Sequence, residues 1–225
     1  MSVEFRVLRT ADELAVMPEF EARIWGGNDD RVSVNMLVAC IEEGGVAIGA
    51  FDEGRIIGGV FGFRTYQADV LHSHYMAVDP EYRRSGLAEQ LKRHQAEWCL
   101  ANGLVSMRWT FDPLRLPNAH LNLNKLGALG ITYHVDHYGA LGGINGSLPS
   151  DRLTVQWDLV AERPAFAEYF DLDVPSVSPE QIAESAPEAI HARMAVREAM
   201  APHLADGWRV VAVDRDARTY TLGRC

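Results

Sequence analysis

The sequence predicts an α/β fold on three observations. Residues 71–102 read as a strand, a basic loop and a helix in immediate succession. On either side of this unit, short alternating segments are interleaved with helical ones as far as Leu159. Beyond Glu162 the composition changes: Pro164, Pro175, Pro179 and Pro187 punctuate a stretch too broken for long helices. The chain therefore reads as a main domain over residues 1–160 followed by a small α+β extension over 161–225.

Taken in order, Glu4 to Leu8 alternates like a first strand. Thr10-Ala-Asp-Glu13 has the spacing of a capping box and starts a helix carrying Leu14, Val16, Phe20 and Ile24. Pro18 should kink this helix or begin a new turn, and Trp25-Gly26-Gly27-Asn28 ends it. Ser33 to Glu42 reads as a second helix with Met36, Leu37, Cys40 and Ile41 inward, stopped by Gly44-Gly45. Val46 to Asp52 and Arg55 to Phe63 form a hairpin through Glu53-Gly54. Gly58, Gly59 and Gly62 predict close backbone approach or a bulge in its second strand. After a loop over Tyr66 to Val70 comes the strand Leu71 to Val78. Pro80 stops it, because proline lacks a donor and pushes Asp79 out of helical space. The next helix places Leu87, Leu91, His94 and Trp98 on one side and Glu89, Lys92, Arg93 and Glu97 on the other, with Asn102-Gly103 as its stop. Leu104 to Phe111 reads as a fifth strand broken by Asp112-Pro113. Asn118 to Leu126 reads as a short helix, and Ile131 to Tyr138 with Leu153 to Leu159 as a strand pair across the loop 139–151. In the extension, Pro187 to Leu204 is helical with Ile190, Met194, Arg197 and Ala201 along one side. Trp208 to Val213 and Thr219 to Leu222 are strands around an Asp-Arg-Asp turn. This extension is short for an independent fold and is expected to pack on residues 1–160, as a lid, a sheet extension or a homodimer surface.

Hydrophobic residues make up 48% of the 225-residue chain and charged ones 23%, which is ordinary globular material with a real core. The formal net charge of −10 argues against nucleic acid as a partner, and Arg83-Arg84 is too short to be a basic patch. Cys40, Cys99 and Cys225 lack metal-ligand spacing, so no metal site is expected. Cys40 and Cys99 fall on helix faces where small apolar packing is the default. No secretory segment and no apolar run of membrane-spanning length is read, and the expected location is cytoplasmic without a membrane partner.

The chemistry of the loop Arg83-Arg84-Ser85-Gly86-Leu87-Ala88 follows from its place at a helix start. Unpaired amides and partial positive charge there suit a phosphate. Gly86 lets the backbone approach an anion, and the arginines add charge. A solvated basic turn is the open alternative, and the lysine-and-hydroxyl loop of a nucleotide hydrolase is missing.

Arg-x-x-Gly-x-Ala after a strand ending Val-Asp-Pro-Glu-Tyr resembles the acyl-CoA signature of the GNAT (Gcn5-related N-acetyltransferase) family. Asn118-Ala-His-Leu-Asn-Leu-Asn-Lys-Leu-Gly127 is similar to that family's second motif, and the resemblance spans roughly Val3 to Leu159. It implies a mixed, mostly antiparallel sheet with a splayed centre flanked by helices. It also implies acetyl-CoA or another acyl-CoA as cosubstrate. By position, Met76, Ala77 and Val78 would face pantetheine, and Arg83, Arg84, Ser85, Gly86, Leu87 and Ala88 would hold the pyrophosphate. Asn118, Asn122 and Lys125 would be further CoA contacts. Arg23-Ile-Trp-Gly26, Leu71-His-Ser-His74, Trp109-Thr-Phe-Asp-Pro-Leu114, Asn118 to Gly127, Tyr138-Gly139 and Leu148-Pro-Ser-Asp-Arg-Leu153 together resemble a GNAT subgroup. Some of its members are associated with N-acylamino-acid racemases, which implies amino-acid N-acylation, including succinyl transfer.

The family's reaction is direct attack of an amine on the thioester, and it requires a proton acceptor and an oxyanion donor. The backbone amide of Val78 or its neighbour is the candidate donor. His74, two residues from His72 on one strand face, is a candidate base, as is Asp112 at the end of the fifth strand. Lining the pocket, for the histidines, and forming the Asp-Pro turn, for Asp112, are the plainer roles. The family's usual tyrosine acid is replaced by Leu123, leaving Tyr133, Tyr138 or Asn122 as substitutes, or no acid at all. Trp109, Phe111 and Trp25 are core or pocket-lining. An acceptor carboxylate would require an arginine such as Arg64, Arg108 or Arg152. The sequence thus reads as an N-acyltransferase moving an acetyl or succinyl-like group from CoA to the amine of a small molecule, amino acids among them. A protein N-acetyltransferase and a non-catalytic acyl-CoA-binding module stay open as alternatives.

Overall fold

The capping box at Thr10 forms in the computed structural model, with the Glu13 carboxylate accepting from the Thr10 amide at 3.0 Å. It opens a helix of one turn, α1 (Ala11–Leu14), and the chain restarts at once as α2 (Val16–Trp25). Pro18 sits in the first turn of α2, where a missing N–H costs little. The structure describes residues 3–25, 31–139, 141 and 147–225. The Gly26-Gly27-Asn28 stop and part of the loop 139–151 lie outside them. The chain divides into two units, Met1–Arg108 and Trp109–Cys225, so residues 161–225 share a unit with residues 109–160.

In the first unit, β1 (Glu4–Leu8), β2 (Val46–Asp52), β3 (Arg55–Arg64) and β4 (Val70–Val78) pair in sequence order, all antiparallel. β5 (Ser106–Phe111) adds to β4 in parallel. One face of this sheet is covered by α1, α2 and α3 (Val34–Glu42), whose Leu14, Met17, Phe20 and Leu37 are fully buried with Ala47, Phe61 and Ala77. Each such side chain contributes about 1.5–3 kcal/mol. Met36 was expected inward and is 56% exposed, because α3 is covered along a stripe centred on Leu37.

The other face carries α4 (Leu87–Ala101). Leu91 packs so tightly that a Cβ on Gly58 would lie 2.9 Å from its Cδ1, which is why β3 needs glycine there. The buried side of α4 is Leu87, Leu91, Lys92, Gln95, Ala96 and Cys99. Lys92 is therefore inside, contrary to expectation. His94 and Trp98 are only half-buried, His94 lying 4.2 Å from the Phe5 ring.

The second unit continues from the end of β5 into α5 (Leu116–Ala119) and a π-helical stretch, His120–Lys125. The short helix expected over Asn118 to Leu126 thus starts two residues early and widens halfway. β6 (Leu129–His134) pairs with β7 (Arg152–Asp158) and touches β9 (Arg209–Asp214) at Gly130, where a Cβ would lie 2.7 Å from that of Val210. β9 pairs with β10 (Thr219–Arg224), and β10 with an edge strand not read from the sequence, β8 (Glu168–Asp173). α6 (Pro179–Ala183) and α7 (Pro187–Ala205) complete the unit. α7 buries Ala189, Ala192, Arg193, Val196, Met200 and Leu204. The expected stripe was one position off, and Ile190 is 43% exposed.

Candidate active site

The centre of the first unit is a defect in β4. Phe61 faces Tyr75 while Gly62 faces Ser73, so His74 is an extra residue, a β-bulge. The bulge reverses the alternation of side chains. Ser73 points to α4, whereas His74 and Tyr75 both turn to Phe61, each with its ring centre 6.0 Å from it. The parallel ladder to β5 runs only from Val70 to His72, against Ser106 to Arg108, and ends where the bulge begins. Met76, Ala77 and Val78 lie beyond its end. This is the splayed centre that the resemblance implies.

After Val78, Asp79 accepts from the Glu81 amide and from Arg55, opening a single 3-10 turn, Pro80–Tyr82. Arg84 (φ 67°) and Gly86 (φ 88°) then turn the chain through left-handed conformations into α4. Gly86 caps that helix without a side-chain hydrogen bond, and a Cβ there would find only Gln90 Nε2, at 3.7 Å. The first-turn amides have no intrahelical acceptor, although Ser85 Oγ takes the one of Leu87 at 3.3 Å. Arg83, Arg84, Ser85 and Gly86 are exposed, while Leu87 is buried and Ala88 half-buried. A bare, open helix start beside two exposed arginines fits a pyrophosphate.

Four titratable groups lie on β4 or against it. The His74 imidazole reaches solvent at its edge, yet the desolvating rings around it (Phe61, Phe63, His72, Tyr75) hold its pKa below the usual histidine value. Glu21 of α2 is buried, its Oε2 has no hydrogen-bond partner among the described residues, and desolvation pushes its carboxyl up to about 7. The Tyr75 hydroxyl is likewise buried without a hydrogen-bond partner among the described residues. Burial and the neighbouring Glu21 raise its phenol far above the ordinary range. On the α4 side, Lys92 Nζ donates to Ser73 Oγ at 2.7 Å, and burial drives its ammonium down to about 7. Sequence reasoning missed Glu21. Its signal was its place on the apolar stripe Met17, Phe20, Glu21, Ile24 of α2.

The remaining predicted residues lie in the second unit. Asp112 is buried, with both oxygens on Arg193 at 2.7 and 2.8 Å and Oδ1 also accepting from the Leu114 amide. Asn122 is buried and its Oδ1 accepts from Trp109 Nε1 at 3.2 Å, which places Asn122 and Trp109 in the core along with Phe111. Asn118 and Lys125 are exposed. Leu123, at the position of the family's tyrosine, is fully buried. Tyr133 donates to Asp151 at 2.7 Å, and burial with that bond pushes its phenol well above the usual range. Tyr138 is half-exposed and shares a 3.1 Å hydrogen bond with Thr110. Trp25 lies at the surface of the first unit, edge-on to Tyr75 at 5.9 Å.

Residues 13–127 match the model of the Acetyltransferase (GNAT) family. Among solved structures, the chain is similar to the ribosomal-protein-S18-alanine N-acetyltransferase from Escherichia coli, at 17% identity and a TM-score of 0.58 over 72% of this chain and 97% of that one. YncA from Salmonella typhimurium, solved with its cofactor acetyl-CoA, matches at 16% identity and a TM-score of 0.56, over 74% of this chain and 99% of that one. An IAA acetyltransferase from Bacillus cereus matches at 16% and 0.55, over 70% and 99%. No curated protein matches. No helix among the described residues is long and apolar enough to cross a membrane. The mostly antiparallel sheet, its splayed centre and the family match agree: the chain belongs to the GNAT acetyltransferase family, whose cofactor is acetyl-CoA.

Proposed function

We propose that this protein moves an acetyl or succinyl-like group from CoA to the amine of a small molecule, amino acids among the acceptors, by direct attack of the amine. The observation that carries this reading is the bulged β4, released from β5 after His72, feeding an α4 that opens on a left-handed glycine. In this reading Arg83, Arg84, Ser85, Gly86, Leu87 and Ala88 hold the pyrophosphate. Met76, Ala77 and Val78 offer backbone groups to pantetheine, and an amide of this stretch stabilises the oxyanion. Bound acyl-CoA supplies an acyl group already activated as a thioester. His74 receives the proton of the ammonium substrate, and its lowered pKa keeps it neutral and competent at pH 7. Asp112 is relieved of the base role, because protonating it would break a bidentate pair with Arg193. Asn118 and Lys125 remain exposed candidates for outer CoA contacts, and Asn122 serves the core. Residues 161–225 act as an extension bracing residues 109–160, since Arg193 and Arg197 of α7 hold Asp112 and Asp151.

Free-thiol release from acetyl-CoA across a panel of small-molecule amines tests the reading. Turnover with at least one of them is expected. Tight CoA binding without turnover would favour a non-catalytic module. If His74 is the base, kcat/KM falls as pH drops through its pKa, and His74→Ala removes that acid limb. An unchanged profile would assign deprotonation to another group, with Glu21 the next to test.

A further inference from the structure

Arg152, the first residue of β7, is only 9% exposed, yet among the described residues no carboxylate pairs with it. Its Nη1 donates to the Asp151 carbonyl at 3.0 Å, and its guanidinium carbon lies 5.5 Å from the centre of the Tyr138 ring. Among the described residues, one carbonyl and one ring face leave most of a five-donor fork unused. The carboxylates nearby are already committed. Asp112 is held by Arg193, and Asp151 by Arg197 at 2.7 and 2.8 Å. Tyr133 and Tyr220 stay neutral, since burial raises both phenols. Asp136, near Arg197, is exposed and its Oδ1 accepts from the Ser150 amide at 3.0 Å. Three guanidinium groups therefore stand against two buried carboxylates, an excess of one positive charge. Folding alone gives no reason to bury that charge, because a desolvated cation without a counter-ion is destabilising. A monoanion with planar, bidentate geometry would satisfy it. The other arginines considered for this role differ: Arg64, at the surface, is occupied by the Ala68 and Asn102 carbonyls, and Arg108 is half-buried in β5.

We propose that Arg152 is the receptor for a carboxylate carried by a small-molecule substrate, with Tyr138 and Thr110 beside it. This rests on the acyltransferase reading above. The carboxylate belongs either to an amino-acid acceptor or to a dicarboxylic acyl group such as succinyl, and the chemistry at Arg152 is the same for both.

Calorimetric titrations of the full chain, with and without saturating CoA, separate the cases. One arm compares N-acetylated amino acids with their carboxamides, and the other compares succinyl-CoA with acetyl-CoA. The wild type should prefer the carboxylate in one arm by at least about tenfold. Arg152→Gln should erase that preference while acetyl-CoA affinity stays within about twofold. Loss in the first arm places the carboxylate on the acceptor, and loss in the second places it on the acyl donor. Equal affinity for both members in both arms, or an Arg152→Gln variant that keeps the preference, overturns the proposal. Arg152→Met gives an independent reading, because the ligand-free protein should melt at the same temperature or higher once an uncompensated charge is gone. A lowered melting temperature would make Arg152 a structural brace and overturn the proposal. Failure of the wild type to bind CoA or acetyl-CoA would instead strike the acyltransferase reading, and the carboxylate arm without CoA still reports on Arg152.

Discussion

Two places in the molecule, one in each unit, bury charge in opposite ways. In the first, Glu21 and Lys92 lie far from water, and burial brings the carboxyl up and the ammonium down to about 7 each, so both approach neutrality. In the second, Asp112 and Asp151 are each gripped by two guanidinium nitrogens at 2.7–2.8 Å, and against the desolvation of its site the bond to Arg197 holds the Asp151 carboxyl below its usual range. The first arrangement leaves groups able to take or give a proton near pH 7, which is useful beside a reaction that moves one. The second ties α7 to Asp112 and Asp151 through two bidentate ion pairs.

Breaking the second arrangement should cost the most. Arg193→Met strands a buried Asp112, and a loss of about 3–5 kcal/mol in denaturant unfolding is expected. Adding Asp112→Leu should recover much of it. A single variant as stable as the wild type would mean that the pair carries no net weight.

The first arrangement is tested by pH. The Lys92 pKa falls from 10.5 to about 7 on folding, so the unfolded chain binds the extra proton between those values and stability rises with pH across that window. For Glu21 the pKa rises from 4.5 to about 7, the folded chain binds the extra proton, and stability falls as pH climbs through that range. Glu21→Gln should flatten the acid-side slope and Lys92→Met the alkaline one, each by a few kcal/mol over its window. Unchanged slopes in denaturation curves taken at stepped pH would contradict the burial argument. Neither change should alter the slope produced by the other.

Gly86→Val is a smaller perturbation of the fold. A β-branched residue at φ 88° costs about 1–2 kcal/mol of stability, and space is not the problem because only Gln90 Nε2 is near. CoA affinity should fall by more than that strain alone explains, because the first-turn amides are re-aimed. The smallest effects are expected at Met36→Ser and Ile190→Ser, within about 0.5 kcal/mol, since both side chains are largely in water.

What could be read from the sequence was what the local backbone encodes. Pro80 ends β4, Gly86 opens α4 and Thr10 caps α1, because each acts within a few residues of itself. The bulge at His74 was hidden, since it depends on the register of β4 against Phe61 and Gly62. Lys92 was assigned to the solvent side because a helical period cannot reveal that Ser73, nineteen residues earlier, waits to hold it. The buried face of α7 escaped because Ala189 and Ala192 are weak hydrophobic signals beside Ile190. Its key residue, Arg193, finds its partner at Asp112, eighty-one positions away. β8 is an edge strand whose side chains are exposed except for Leu172, and only its register with β10 defines it. Glu21 was legible in principle, as a carboxylate on an apolar stripe.

The most direct test of the central claim is a calorimetric titration of the wild type and Gly86→Val with CoA, acetyl-CoA and succinyl-CoA, paired with melting curves. Saturable binding that raises the melting temperature of the wild type and is lost in Gly86→Val is the predicted result. No binding of any of the three to the wild type, or binding unaffected by Gly86→Val, would contradict the account of β4 and the start of α4 as an acyl-CoA site.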